Sequence, residues 1–396
     1  MNNHKSKIEK LITELCPEGV EFKKLREIGS LIRGSGLQKK DFTEDGVGCI
    51  HYGQIYTHYR LFAEKTKTFV SSELAQKLRK AQKGDVLITG VSENIEDVCK
   101  PLGWLGDEIC ISGDMFAFRH NQNTKFITYL LLTIDFQRYK ERNAQGAKVT
   151  RVKADKILDY KIPIPPLPIQ EEIVRVLDSF TELEAELEAE LEARKKQYEY
   201  YRDDLLVFGD GVERKTLNEI STNLDSKRKP ITRSARTPGD IPYYGASGIV
   251  DYVKEYIFDG DYLLISEDGA NLLARSTPIA FSISGKTWVN NHAHVLQFEK
   301  YETRRFVEIY LDSIDLRPYI SGAAQPKLNK TNLNQIPIPV PSAAEQKRIV
   351  SILDKFDALV NDISIGLPAE LEARRKQYEY YRGKLLTFKE KEYVTE

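Results

Sequence analysis

The segment LEARKKQYEYYRDDLLVF at 191–208 returns as LEARRKQYEYYRGKLLTF at 371–388, identical at 14 of 18 positions at an offset of 180. A chain that repeats itself this closely folds as two copies of one plan, and every later inference has to respect that. Upstream, IVRVLDSF (173–180) matches IVSILDKF (349–356), and IPIP stands at both 162–165 and 336–339. The remainder repeats more faintly. GVEFKKLREI (19–28) resembles GVERKTLNEI (211–220) at an offset of 192, which also aligns Tyr52-Gly53 with Tyr244-Gly245. Farther on the offset falls to 176, aligning Gly84-Asp85 with Gly260-Asp261, Leu87-Ile88 with Leu263-Leu264, and Gly146-Ala147 with Gly322-Ala323. The order is therefore a variable unit and a helical unit, twice over. The boundaries fall at an N-terminal helical segment 1–18, variable units 19–160 and 209–335, and helical units 161–208 and 336–396.

Each helical unit follows a proline cluster, Pro163 to Pro168 and Pro337 to Pro341, which ends the preceding element and can seat a first helical turn. Ser342 and Glu345 have the spacing of a capping box. Leu191, Arg194, Tyr198, Tyr201, Leu205 and Phe208 alternate by three and four, as do Leu371, Arg374, Tyr378, Tyr381, Leu385 and Phe388. That heptad seam suits two long helices packing against one another. Just before it, TELEAELEAELEA (181–193) repeats every four residues, placing Leu183, Leu187 and Leu191 one turn apart. Alone it reads as a solvated acidic helix with one apolar stripe. Between duplicated units it reads as a ruler, each four-residue step adding about 6 Å. In the second copy Gly366 and Pro368 interrupt the interval, so two helices are expected there.

The variable units mix short strands and helices. GDVLITGV (84–91), DMFAFR (114–119), DYLLIS (261–266) and HVLQF (294–298) read as strands bounded by Gly and Asp. FITYLLLTIDFQRYK (126–140) and RRFVEIYLDSI (304–314) each read as one amphipathic helix. No doubly wound parallel pattern is present, so the fold class is α+β.

Charge adds an asymmetry that the total hides. The 58 Lys+Arg and 59 Asp+Glu sum to −1, but 19–160 carries 23 basic and 18 acidic residues, a net of +5. The stretch 166–208 carries 5 and 12, a net of −7, and 209–335 balances at 16 and 16. Four cysteines without a Cys-x-x-Cys pair argue against a disulfide framework or zinc cluster and fit a reducing compartment. The start MNNHKSKIEK lacks an apolar signal region, and no apolar run approaches the length of a membrane span. A soluble cytoplasmic protein is expected.

Catalytic motifs fail one by one. Gly285-Lys286-Thr287 has Ala280 where a phosphate loop needs its first glycine. No Gly-x-Gly-x-x-Gly occurs, and no Asn/Asp-Pro-Pro-aromatic segment is present to hold a flipped base for amino methylation. The acid-x-Lys triplets at Glu21-Phe22-Lys23, Glu213-Arg214-Lys215 and Asp225-Ser226-Lys227 are expected by chance in a chain with 30% charged residues. His292 and His294 have no third ligand at metal-site spacing. What remains is polar, basic and aromatic residues in loops: HYGQIYTHYR (51–60) beside YYGASGIV (243–250), and GAKVTRVK (146–153) beside GAAQPKLNK (322–330). Cations suit phosphates, and amides and Arg suit base edges. SKRKPITRSAR (226–236) adds five basic residues and no acid, as either a phosphate-facing arm or a mobile loop. Tyr52-Gly53 and Tyr244-Gly245 are equally compatible with tight turns packed over their rings.

Two variable units of similar size, each followed by LEARxKQYEYYRxxLL, resemble the specificity (S) subunit of type I restriction–modification enzymes. Supporting segments are ISGDMFAF (111–118), WVNNHAHVL (288–296), GAAQPKLNKTNL (322–333) and IPIPVPSAAEQKRIVSILDKFD (336–357). The resemblance implies two mixed α/β target recognition domains joined by two long antiparallel helices with a pseudo-two-fold. It implies a non-catalytic chain that reads an asymmetric bipartite target in double-stranded DNA. Two modification (methyltransferase) subunits and the restriction/translocase subunits are the implied partners, and no membrane. No cofactor is implied on this chain; S-adenosylmethionine, ATP and Mg are implied on the partner subunits. The expected DNA contacts are Tyr52, Gln54, Arg60, Lys148, Thr150 and Arg151, then Lys227, Arg228, Tyr244, Ser247, Asn291, His292, Gln325 and Lys327. The expected partner contacts lie on the flanks of 182–203 and 370–384, at Arg194, Lys195, Gln197 and Glu199 with Arg374, Arg375, Gln377 and Glu379. Two other classes remain open, a self-sufficient DNA methyltransferase–nuclease and a coiled-coil scaffold indifferent to DNA sequence.

Overall fold

A computed structural model of the chain describes residues 6–146, 148–275, 277–322 and 325–392. Of the segments singled out in the sequence, residues 1–5, Ala147, Ala323, Ala324 and 393–396 lie outside the described residues. The chain forms two compact units, Met1–Glu186 with Leu371–Glu396, and Leu187–Glu370. The division cuts through both helical stretches, so each unit holds one variable region and helix from both repeats.

Both units contain the same antiparallel ladder. Phe22–Lys24 pairs with Lys161–Pro163 in register Phe22 to Pro163, and Arg214–Thr216 pairs with Pro337–Pro339 in register Arg214 to Pro339. Phe22 and Arg214 are related by the larger sequence offset, Pro163 and Pro339 by the smaller, so one ladder reproduces both. On this ladder the acid-x-Lys triplets have a plain use: Glu21 pairs with Lys23 at 2.7 Å and Glu213 with Lys215 at 3.3 Å.

In the first unit the strands Gly29–Arg33, Met115–His120, Val86–Thr89, Pro101–Trp104 and Phe62–Ala63 form one sheet in that order. Thr68–Val70, Val47–Ile50, Ile109–Ile111 and Lys80–Ala81 form a second, with Val47–Ile50 parallel to Ile109–Ile111. Leu87, Leu102, Trp104 and Ala117 are buried together in one core, and Ile88, Phe118, Phe126 and Tyr129 in another. The single helix expected over 126–140 is two, Thr124–Leu130 and Ile134–Asn143. Thr133 makes the break: its hydroxyl donates to the Leu130 carbonyl at 2.7 Å and accepts from the Phe136 amide at 3.4 Å, capping a new helix.

The second unit has one six-stranded sheet, ordered Thr222–Asn223, Ala293–Gln297, Phe258–Ser266, Ala280–Val289, Pro238–Gly245 and Gly248–Val253. Its parallel pair, Tyr243 beside Trp288 and Tyr244 beside Val289, is the counterpart of the parallel pair in the first unit. The helix Tyr301–Ser313 covers it, burying Phe306, Val307 and Leu311.

The first helical stretch is one helix, Leu167–Leu205, and the second is two, Ala343–Asn361 and Leu367–Leu385. A Cβ on Gly366 would approach the Ala358 carbonyl oxygen to 2.5 Å, so the turn between the latter two requires glycine. Ser342 caps the Glu345 amide at 3.3 Å, but the Glu345 carboxylate turns to Arg348 at 2.6 and 2.9 Å, so only half of the expected capping box forms.

The heptad seam packs crosswise between repeats, in antiparallel pairs. In the first unit Tyr381 of the second repeat stacks on Phe180 of the first, centroids 5.5 Å apart at 24°. In the second unit Tyr201 of the first repeat stacks on Phe356 of the second, 5.5 Å apart at 27°. Tyr378, Leu385, Leu386 and Phe388 complete the first unit's core, and Tyr198, Leu205, Leu206 and Phe208 the second's. All four cysteines are buried and none is in a disulfide. Among the described residues no helix is long and apolar enough to cross a membrane.

Candidate nucleic-acid interface

Two loops, seven residues each, end in the same closure. In the first unit the Gln145 amide donates to the Arg151 carbonyl and the Arg151 amide to the Gln145 carbonyl, both at 2.9 Å. In the second, Ser321 and Lys327 exchange the same two bonds at 2.8 Å. The second residue of each loop is glycine with positive φ, +110° at Gly146 and +83° at Gly322. A Cβ there would lie 2.2 Å from the Val149 oxygen and 2.5 Å from the Gln325 oxygen, so both turns need glycine. The side chains presented differ: Lys148, Thr150 and Arg151 in one, Gln325 and Lys327 in the other.

Around the first loop, Thr150–Arg151 pairs with Val91–Ser92, and the Tyr56 hydroxyl donates to the Val91 carbonyl at 2.8 Å. This ties the helix Tyr52–Thr57 to the loop. Between them lies a cleft of about 560 Å³, lined by Lys39, Tyr52, Gln54, Thr57, Ser92 and Asn94 among others. Tyr52 packs on His51 with centroids 4.6 Å apart, at the start of a helix rather than in a turn. Gln54 is spent locally: its Oε1 accepts from the His51 amide at 2.9 Å and its Nε2 donates to Thr68 at 3.1 Å. Lys148, Arg151 and Arg60 are exposed, and Thr150 is half-buried. Beneath, the buried Lys140 ammonium donates to the carbonyls of Glu96 and Val98, holding the segment that follows Ser92.

The second unit brings four segments together. The Ser266 hydroxyl donates to the Ala246 carbonyl at the tip of the hairpin Pro238–Gly245/Gly248–Val253. The Asn290 amide donates to the Tyr244 carbonyl at 3.0 Å, and Asn290 Oδ1 accepts from the His292 amide at 2.8 Å. His292 Nδ1 meets Asp268 at 2.8 Å, and Asp268 is bridged to Lys327 in the loop. Ser247, Asn291, His292, Gln325 and Lys327 are exposed on this rim and Tyr244 is half-buried. Arg228 is different. It is only 13% exposed, and its guanidinium is held by Glu267 at 2.6 Å, Asp225 at 3.3 Å and the Ala293 carbonyl at 2.8 Å. His294 is buried between Asp225 at 2.6 Å and the Leu328 carbonyl at 2.7 Å. Burial favours neutral Asp225 and Glu267, yet both carboxyls stay below the usual range. His294 and Arg228 hold the first down, Arg228 and Lys327 the second.

The basic arm 226–236 is anchored: Trp288 Nε1 donates to the Lys229 carbonyl at 2.6 Å, and Arg236 lies over the Tyr243 ring at 4.4 Å while pairing with Asp251 at 2.9 Å. Lys227 and Arg233 remain exposed on it. Sequence reasoning missed Lys39, Asn94 and Arg33, which line clefts beside the first loop. The Lys39-Lys40 doublet was the available signal.

On the helices the two copies repeat the same local bond, Arg194 to Gln197 at 2.9 Å and Arg374 to Gln377 at 3.2 Å. Lys195 lies 3.8 Å from Glu192, and Arg375 pairs with Glu184 at 2.6 Å. Glu199 and Glu379 are exposed, each followed by a tyrosine facing solvent, Tyr200 at 67% and Tyr380 at 63%.

The sequence matches, over residues 17–193 and again over 209–373, the profile of the family described as the type I restriction modification DNA specificity domain. It is 42% identical over 195 residues to a Haemophilus influenzae protein named a type I restriction enzyme specificity subunit, spanning 48% of this chain and 50% of that one. It is 39% identical over 263 residues to the EcoR124I/EcoR124II specificity subunit of Escherichia coli, spanning 59% of this chain and 65% of that one. The matches thus span between half and two thirds of these relatives' own lengths. The fold is similar to that of the type I restriction-modification S subunit from M. genitalium, with a TM-score of 0.57 at 16% identity over 93% of this chain and 96% of that one.

Proposed function

This chain belongs to the type I restriction–modification DNA specificity family, and on that premise we propose that it is the sequence-reading subunit of such a complex. It reads an asymmetric bipartite target in double-stranded DNA, one half-site with each unit. The observation that carries this reading is the pair of loops, 145–151 and 321–327, closed by the same main-chain bonds and glycine yet carrying unlike side chains. The same closure with unequal side chains suits two readers of the same kind for two different words. Lys148, Arg151, Arg60 and Lys227 supply cations for phosphates or guanine edges, and Gln325, Asn291 and Ser247 supply amide and hydroxyl groups for base edges. Tyr52, Thr150, Tyr244, His292 and Lys327 shape the same rims. Gln54 and Arg228 act from beneath, by fixing the helix start and the strand ends.

The chain itself is non-catalytic. Methyl transfer from S-adenosylmethionine and ATP- and Mg-dependent cleavage belong to modification and restriction/translocase partners. Two modification subunits dock on the helix flanks, at the half-buried Arg194, Lys195, Gln197 and Arg374 and the exposed Glu199, Arg375, Gln377 and Glu379. A surface present twice in one chain fits two copies of one partner.

Genome-wide mapping of methylated bases in cells expressing this chain with its modification partner tests the reading. One asymmetric, interrupted sequence is expected, and Gln325→Ala with Lys327→Ala degrades one half-site only. An uninterrupted word, or equal loss in both halves, rejects it.

A further inference from the structure

The rims of the two units differ in charge at one position that the sequence offset aligns. The offset of 176, which aligns the two loops, places Asp268 where the first unit has Ser92. Both residues stand beside the closed loop: Thr150 pairs with Ser92, and Lys327 is bridged to Asp268. Ser92 is a buried hydroxyl accepting from the Asn94 amide at 3.3 Å. Asp268 is a carboxylate, 32% exposed.

The acids around it are already engaged. Glu267 is held by Arg228 at 2.6 Å and Lys327 at 3.1 Å, and Asp225 by His294 at 2.6 Å, Arg228 at 3.3 Å and the Val295 amide at 2.9 Å. Among the described residues Asp268 has His292 as its side-chain partner, at 2.8 and 3.0 Å, and that ring is itself half exposed. A carboxylate on a rim that meets DNA is repelled by phosphates, and nothing on it can donate to a guanine O6 or N7. It fits such a rim where it accepts from an exocyclic amino group, cytosine N4 or adenine N6 in the major groove. The neighbours are placed for this. The Asn290–His292 turn reaches Asp268 through His292 and the loop 321–327 through Lys327, the hairpin tip is bonded two residues away at Ser266, and a two-stranded ribbon is narrow enough for the major groove.

We infer that Asp268 is a base-reading residue of the second unit, accepting a hydrogen bond from the amino group of a cytosine or adenine in the second half-site. This rests on the specificity-subunit reading. The first unit, with Ser92 in that place, makes no such contact.

The test uses the chain assembled with its modification partner. The recognised word is first mapped, and binding is then measured by fluorescence anisotropy on duplexes in which each cytosine or adenine of the second half-site is replaced, one at a time, by its amino-free analogue (pyrimidin-2-one or purine). Wild type loses roughly ten- to hundredfold at one position. In Asp268→Ala, which leaves nothing to accept from the amino group, the same replacement costs less than about twofold, while replacements in the first half-site cost what they do in wild type. Asp268→Leu, close to aspartate in size and unable to accept, is the second variant should Ala disturb assembly. If wild type and both variants show equal penalties at every position, the inference fails and the bipartite reading stands. If penalties change alike in both half-sites, it fails as well. If the mapped word is uninterrupted, the specificity reading itself fails and this inference with it.

Discussion

Replacing Gly146 or Gly322 with alanine separates the two readers, because each loop depends on its own glycine. At φ +110° and +83° an alanine carries backbone strain of roughly 1–3 kcal/mol. The added Cβ would also sit 2.2 Å from the Val149 oxygen or 2.5 Å from the Gln325 oxygen, well inside contact distance and against main chain that cannot rotate away. What opposes opening is the pair of closing hydrogen bonds, about 0.5–1.5 kcal/mol each, or about 1–3 kcal/mol together. Strain and clash exceed closure, so the loop opens rather than the unit unfolding. The base contacts of that loop are then lost, at about 1–3 kcal/mol, or roughly ten- to hundredfold in discrimination. The assay is methylation by the assembled complex on the cognate duplex and on duplexes altered in either half. Gly146→Ala relaxes discrimination in the first half-site alone and Gly322→Ala in the second alone, with the melting temperature lowered by about 2–12 °C, at about 2–4 °C for each kcal/mol of closure lost. Wild-type discrimination in both variants, or loss in both half-sites from either one, refutes the reasoning.

Two further outcomes follow from packing and charge. In double-mutant cycles by urea unfolding, Phe180→Ala with Tyr381→Ala and Phe356→Ala with Tyr201→Ala each give coupling of about 0.5–1.5 kcal/mol, and zero coupling in either pair removes that stack from the helix seam. Burial pushes the Asp312 carboxyl up to about 6, although its Oδ1 accepts from the Ile279 amide at 2.9 Å. A folded value above the unfolded 3.8 means that its stabilising influence is complete below 3.8 and is lost as pH rises through about 6. Asp312→Asn, still able to accept that bond, flattens the thermal-stability profile across this interval, and parallel profiles for variant and wild type contradict the assignment.

The duplication, the strands at 84–91, 114–119, 261–266 and 294–298, and the break at Gly366 were all legible in the sequence, because each is set by local spacing or by a residue with a single conformational use. The seam partner was not. Heptad spacing at Tyr198, Tyr201 and Leu205 says that one helix face is apolar, and it is silent on which other apolar face covers it; Phe356, far downstream of Tyr201 in the chain, is recognisable only once folded. The split at Thr133 was hidden because a threonine inside an apolar run reads as a tolerated helical residue until its hydroxyl is seen to cap. In the rims, residue type indicated polar loops but could not separate Lys227, which is exposed, from Arg228 beside it, which is held by two carboxylates. Composition counts cations; only geometry tells which are already paired.

The division of labour inside each unit explains how two readers can differ while sharing one plan. The two loop closures are made by groups whose identity does not vary with the word being read: main-chain amides and carbonyls close the loops, and glycines permit the turns. Beneath them the paired ladder keeps its register through both offsets. Substitution at Lys148 or Gln325 therefore alters what a loop presents without altering where it is. The stem has the opposite constraint. Tyr201, Tyr381, Phe180 and Phe356 are stacking partners across repeats, so a change in one copy strains a contact with the other. That coupling accounts for a helix identical at 14 of 18 positions joined to rims that share little more than their glycines.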